Sequence, residues 1–292
     1  MFGTAENHAE FTPLPHRSKQ RREGKLSSDP SASTLDDSRR PASFRVLGVR
    51  VDVLEISDAI CQIEQWISRR GTSRFVAVTG MHGVTEAQHD PAFKTILNSA
   101  DLVVPDGMPL VWLGRSRGHQ IKRRVYGPEL MEAFLARTQH RGYRHFFFGG
   151  APGISQRLAS QLKTAFPQIT IADTYSPPFR PPTPDEDQRI IKRINTSNSD
   201  ILWVGLGTPK QEKWMFEHRN QLNVPVLLGV GAAFDIHAGI KSQAPRLMQE
   251  HGLEWLFRLG QEPRRLWRRY LVYGSEFLYW VALEKLGLKK FG

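Results

Sequence analysis

The chain has 292 residues, 40% of them apolar and 10% aromatic, enough for one large globular domain or one domain with an appendage. A formal charge of +11 favours anionic partners: nucleic acid, an acidic membrane surface or a phosphorylated substrate. A lone cysteine, Cys61, excludes an intrachain disulfide and fits a reducing compartment. No run approaches the ~18–20 apolar residues of a bilayer span, and the N-terminus has no apolar signal region, so residence in the cytoplasm is expected.

Residues 1–42 are rich in Ser, Pro, Arg, Lys and Asp without periodicity, which predicts a disordered tail. Order is expected from FRVLGVRVDVL, an alternating strand-like run starting at Phe44. Ser57 can cap the helix DAICQIEQWISRR, in which Cys61 reads as packing. FVAVT then reads as a buried strand, DPAFKTILNSA as a helix and DLVVPDG as a short strand with a sharp end at Asp106-Gly107. The helices MPLVWLGR and PELMEAFLARTQ, the strand HFFFGG and the helix GISQRLASQLKTAF follow. ITIADTY, DEDQRIIKRINTS, ILWVGLG, PKQEKWMFEHRNQL and VPVLLGVG continue the alternation. Such alternation predicts an α/β fold: a mainly parallel sheet with helices on both faces, here over residues 43–240. From residue 241 to 292 the pattern becomes all-helical and rich in Trp, Tyr, Leu and Arg, a C-terminal appendage.

Ligands of open α/β sheets bind beyond the carboxyl ends of the strands. Unusual residues stand at several such ends: Thr79-Gly80-Met81-His82, Asp106-Gly107, the glycine-rich GGAPG at Gly149, and GLGTPKQ at Gly205. The glycine-rich ends suit an anion at a helix start, although tight turns use Gly for conformation alone. Asp106 is either a general base in the cleft or the N-cap of MPLVWLGR. Asp185-Glu186-Asp187 opens a helix, where acids complement the dipole, and the histidines show no metal-ligand spacing, so no metal site is expected. Arg258, Arg264, Arg265, Arg268 and Arg269 cluster in the appendage, with Arg265, Arg268 and Arg269 able to share one helical face. That face can neutralise a pyrophosphate, or rest on anionic lipid with Trp267, Tyr270, Phe277, Tyr279 and Trp280 near the interface.

ADLVVPDGMPLVWLG, RVYGPELMEAF, FFFGGAPGISQRLA, ILWVGLGTPKQEKW, LLGVGAAFDIHAG and GLEWLFRLGQEPRRLWRRYL, taken in order, resemble the WecG/TagA/CpsF glycosyltransferases (glycosyltransferase family 26). The resemblance spans roughly Phe44 to Tyr273. It implies a Rossmann-like core whose helical appendage closes over the active site. It also implies transfer, with inversion and without metal or other cofactor, from a UDP-sugar donor to a polyprenyl-pyrophosphate-linked acceptor at the inner membrane face. Donors in the family include N-acetylmannosamine, its uronic acid and glucose. Carried over by motif, Asp106 matches the catalytic base, Gln211 in GTPKQE a substrate-binding glutamine and Arg124 in RVYG an arginine near the donor phosphates. Arg258, Arg265 and Arg268 match appendage arginines that grip the departing diphosphate. The chain departs from many relatives at Thr79-Gly80-Met81, where a T-x-N pattern is usual; Thr79 and His82 are then the candidates to hold a sugar.

The expected function is therefore a peripheral, metal-independent glycosyltransferase of surface-polysaccharide or exopolysaccharide assembly, without a nucleic-acid partner and with homo-oligomerisation open. The alternative is a non-catalytic nucleotide-sugar or nucleic-acid binding protein on a Rossmann-like core. A glycosidase needs two suitably spaced carboxylates, and only Asp106 is a convincing candidate.

Overall fold

The computed structural model describes residues 40–291, so nearly all of the tail expected over residues 1–42 lies outside the described residues. The chain enters through an antiparallel hairpin, β1 (Ser43–Val46) and β2 (Val49–Asp52). In sequence this stretch reads as one alternating strand, but Leu47 and Gly48 both take positive φ, 50° and 77°, and fold it back on itself. Helix α1 (Ile56–Arg69) starts two residues earlier than a cap at Ser57 implies. Its cap is Glu55, whose carboxylate and that of Asp58 each take the other's backbone N–H.

Strands and helices then alternate: β3 (Arg74–Thr79), α2 (Met81–His89), α3 (Pro91–Ser99), β4 (Leu102–Pro105), α4 (Met108–Ser116), α5 (Gly127–Thr138), β5 (Arg144–Gly149), α6 (Ile154–Ala165), β6 (Thr170–Tyr175), α7 (Pro184–Thr196), β7 (Ile201–Gly205), α8 (Lys210–His218), β8 (Val226–Gly229) and α9 (Ala233–His237). The last strands named, β3 to β8, form a six-stranded sheet in the order β4-β3-β8-β7-β5-β6, every pairing parallel. Successive strand residues point to opposite faces, and both faces are apolar because both are covered. Phe75, Ala77, Val103, Phe146 and Phe148 join one buried cluster with α2, α3, α4, α7 and α8. Val76, Val78, Val104, Phe147 and Trp203 join the other with α1, α5, α6 and α9. The α/β architecture expected from the alternation is the one observed.

The C-terminal segment contains helices joined by turns and no strand among its described residues: α10 (Arg246–Glu250), α11 (Glu254–Gln261), α12 (Pro263–Trp267), a π-helical turn (Arg268–Val272) and α13 (Tyr273–Lys285). It returns to the core at several points, among them Arg117 beside α4, which pairs with Glu284 of α13 at 2.6 Å. Arg124, before α5, forms an ion pair of 2.5 Å with Glu254 of α11. Helix α13 packs on α2, where His82 stacks on Tyr273 with ring centroids 5.3 Å apart and His89 pairs with Glu276 at 2.7 Å. Phe277, expected near a membrane interface, is instead in the core at 1% exposure, because α13 turns that face onto the sheet's helical layer. Tyr270 and Trp280 are half-buried, whereas Trp267 and Tyr279 are exposed.

Candidate active site

The site is built where β3, β4, β7 and β8 end. Asp106 follows β4 directly, and its backbone N–H donates to the Thr79 carbonyl at 2.8 Å, which draws the two strand ends together. Between them stands Gly80; any Cβ there would overlap the Asp106 carbonyl oxygen, so only glycine permits this approach. Helix α4 begins after Gly107, at φ 127° and with no side-chain cap. The capping role for Asp106 is thereby removed, and its half-buried carboxylate lies on the wall of an inner cavity of about 60 Å³. Burial pushes that carboxyl up to about 6; nearby Glu254 adds to the effect, while Arg124, Arg258 and Arg269 oppose it. At neutral pH the group is mainly a carboxylate, with the basicity a proton acceptor needs.

Across the inner cavity stands α8. Gln211, 2% exposed, accepts a hydrogen bond from the Gly207 backbone N–H at 3.2 Å and donates one to Glu212 Oε1 at 2.9 Å. Arg258 of α11 and Arg269 of the π-helical turn complete the wall. Neither guanidinium has a carboxylate partner within ion-pair distance among the described residues. Burial lowers the Arg269 pKa and its buried Nε has no hydrogen-bond partner, so this half-buried cation is open to an anion.

Arg258 and Arg269, with Gly207, Gly231 and Ala232, also border an outer cavity of about 610 Å³ over the ends of β5 and β7. Its floor is aromatic: Trp214 lies 4.4 Å from Phe148 and 4.5 Å from His218, ring centre to ring centre. One side is the Pro177–Pro182 loop, and basic groups, including Lys210, Lys241 and Arg265, stand around the rest. An apolar platform beside a basic inner chamber suits a nucleoside bearing phosphates.

The sequence profile of the Glycosyl transferase WecG/TagA/CpsF family matches residues 44–291. The chain belongs to that family. Similar proteins include the N-acetylglucosaminyldiphosphoundecaprenol N-acetyl-beta-D-mannosaminyltransferases of Staphylococcus aureus strains MW2, MRSA252 and NCTC 8325. Each is 26% identical to it over 258 residues, or 88% of this chain and 99% of theirs. The protein is thus a glycosyltransferase of polysaccharide biosynthesis, and the non-catalytic alternative is set aside.

Within this glycosyltransferase the residues singled out in sequence separate into two groups. Asp106, Gln211, Arg258 and Arg265 border the cavities, although Arg265 sits at the outer rim in a two-pronged pair with Glu262 at 2.8 and 2.5 Å. Thr79, His82, Arg124 and Arg268 do not. Thr79 ends β3 inside the fold at 1% exposure, and its place on the inner cavity wall is taken by Gly80 and Gly83. His82 faces α13, and burial together with the Arg269 charge lowers its pKa to about 3, leaving a neutral imidazole. Arg124 is committed to Glu254 and lies over the Tyr126 ring at 4.2 Å, behind the cavity wall. Arg268 is exposed; one helical turn on from Arg265 is Arg269, and it is Arg269 that reaches inward. Spacing alone does not separate the two, since both Arg268 and Arg269 lie within one turn of Arg265. Tyr126, Glu212 and Glu254 also belong to the site or its support; they lie within the RVYG, GTPKQE and GLEWLF stretches but are not singled out there.

The acids Asp185, Glu186 and Asp187 open α7, where Thr183 and Glu186 form a capping box and Arg180 grips Glu186 at 2.6 and 2.7 Å. Among the described residues no group of three or more His, Cys, Asp or Glu side chains is placed to hold a metal ion.

Proposed function

We propose that this enzyme moves a sugar from a UDP-sugar to a hydroxyl of a polyprenyl-diphosphate-linked saccharide, with inversion and without a metal ion. The donor class is N-acetylmannosamine or glucose. The observation that carries the reading is one carboxylate, Asp106, facing two guanidiniums, Arg258 and Arg269, across a single small cavity. The names of the Staphylococcus aureus relatives support the acceptor class.

The geometry divides the labour. UDP occupies the outer cavity with its base toward Trp214 and its diphosphate at the shared wall. Asp106 takes the proton of the acceptor hydroxyl as that oxygen forms its bond to the anomeric carbon. The bond from that carbon to the β-phosphate oxygen breaks, and its electron pair leaves with UDP. Arg258 and Arg269 meet the growing charge on the diphosphate, with Arg265 at the rim, in a place where little water screens them. Two guanidiniums at the cavity, and no cluster of metal-binding side chains among the described residues, support charge neutralisation by the chain itself rather than by a divalent ion. One displacement at carbon inverts the anomeric centre, and among the described residues Asp106 is the one carboxylate bordering the inner cavity.

The acceptor is a lipid, and the C-terminal helices suit a membrane surface. Trp267, Leu271, Leu278, Tyr279, Leu286 and Leu288 are exposed, beside the exposed Arg264, Arg268, Lys285, Lys289 and Lys290. No described helix is long and apolar enough to cross a membrane. The reading is of an enzyme bound peripherally to anionic lipid at the cytoplasmic face. Incubation of the purified protein with a panel of UDP-sugars and a short-chain polyprenyl-diphosphate N-acetylglucosamine tests it. Release of UDP that requires the acceptor is expected with one of the donors; acceptor-independent release, or none with any donor, would overturn it.

A further inference from the structure

One buried ionisable group beside the site has no part in that chemistry. Glu212, the residue after Gln211, is fully buried. We propose that Glu212 is a positioning residue: its Oε1 holds the Gln211 carboxamide and the Thr208 hydroxyl in the one orientation in which they meet the donor. This inference rests on the donor reading given above.

A carboxamide has two N–H donors and an oxygen with two lone pairs, and it can be turned over with almost no change of shape. Here both sides are engaged. Gln211 Oε1 accepts the Gly207 N–H at 3.2 Å, and Gln211 Nε2 donates to Glu212 Oε1 at 2.9 Å. Turned over, the amide would set its N–H groups against the Gly207 N–H and its oxygen against Glu212 Oε1. Both contacts would become repulsive inside a wall that is 2% exposed. One N–H and one lone pair of Gln211 remain for the cavity. The same Glu212 Oε1 accepts the Thr208 hydroxyl proton at 2.9 Å, which commits that proton and leaves the Thr208 oxygen as an acceptor on the cavity wall. A single oxygen atom thus sets the polarity of two groups that line the inner chamber beside Asp106.

The task needs an acceptor at the right place, not a charge. Glu212 Oε2 is buried without a hydrogen-bond partner, an environment that disfavours a carboxylate, and burial pushes the carboxyl above its usual range. A neutral acid with its proton on Oε2 presents Oε1 unchanged. Glutamine in its place presents an amide oxygen at the same reach. Aspartate keeps the acidity but withdraws the acceptor by one methylene.

The test is calorimetric binding of the UDP-sugar donor to the full chain, with thermal melting alongside, for Glu212→Gln and Glu212→Asp. Both are made in the parent and in a Gln211→Met background. Glu212→Gln is expected to weaken binding no more than about threefold, and Glu212→Asp by about tenfold, the scale of one lost hydrogen bond with a partner left unsatisfied. In the Gln211→Met background the Glu212→Asp effect should shrink to the part carried by Thr208, since one of the two groups it positions is gone. A purely structural Glu212 would shift the melting temperature and leave the donor affinity and its coupling to Gln211 untouched. Equal affinity of Glu212→Asp and parent, or a tenfold loss in Glu212→Gln, would overturn the inference; the glutamine result alone decides if the aspartate variant does not fold. Failure of the parent to bind any UDP-sugar is a different outcome, which removes the functional reading and this inference with it.

Discussion

Replacing Asp106 by asparagine should separate catalysis from stability in opposite directions. The amide keeps the size and polarity of the side chain and removes both the charge and the basicity. Loss of a general base costs about 10²- to 10⁴-fold in rate. Stability moves the other way. The folded carboxyl is raised from 3.8 to about 6, so between those values the folded chain holds a proton that the unfolded chain has released. Stability therefore falls as pH rises through that window, and the full penalty is present at pH 7.5. At ~1.4 kcal/mol per unit the shift is worth roughly 3 kcal/mol, and solvent at this half-buried group reduces it to about 1–2 kcal/mol. Asp106→Asn escapes the penalty and should melt roughly 2–6 °C higher than the parent at pH 7.5, with little difference near pH 4. UDP release in the presence of acceptor and scanning calorimetry at the two pH values give both numbers. A variant that transfers as fast as the parent would refute the base; one that melts lower at pH 7.5 would show that the carboxylate supports the fold.

Other consequences follow from the same geometry. The rate with limiting donor should decline below about pH 6 as Asp106 gains its proton, and a profile flat down to pH 5 would remove the base from the mechanism. Arg269→Ala should depress turnover by about 10²-fold and Arg268→Ala by less than about threefold, because only the first borders the cavities; the reverse order in steady-state assays would count against the site as drawn. EDTA should leave most of the activity, and loss restored by magnesium or manganese would show that a metal shares the work of the arginines. Sedimentation with vesicles containing anionic lipid should weaken as salt is raised from about 0.05 to 0.5 M, whereas salt-independent or absent binding would remove the membrane-facing role of the C-terminal helices.

The parallel sheet was legible because most of its strands are short apolar runs bounded by turn residues and the longer covering helices keep an apolar period, whereas α2 and the five-residue α9 lack a strong one and were not legible as helices. Asp106 was legible as a candidate because it interrupts a strand end where ligands bind, but sequence left open whether it capped α4. Only the backbone at Gly107 decides, since the cap position falls one residue later. The arginines show the limit of counting along a helix. Positions 265, 268 and 269 share a face by spacing, yet the helix rests on the core along one edge only, so Arg269 turns in and Arg268 stays out. Thr79 and His82 carry groups apt for sugars, but one ends a buried strand and the other lies on the side of α2 that α13 covers. Phe277 was placed at a surface for the same reason: nothing local to α13 tells which of its faces meets α2. Long-range contacts of this kind, like the pairing of Arg124 with Glu254, bring together residues far apart in the chain and leave no periodic trace.

A single displacement driven by one carboxylate fixes the stereochemistry of the product, and the anomeric configuration of the newly formed glycosidic bond tests it most directly. Nuclear magnetic resonance of the sugar transferred by the full chain from an α-linked UDP-sugar should show the β configuration throughout the first turnover. Retention of the α configuration would require a double displacement or a front-face attack and would contradict the single in-line displacement assigned to Asp106.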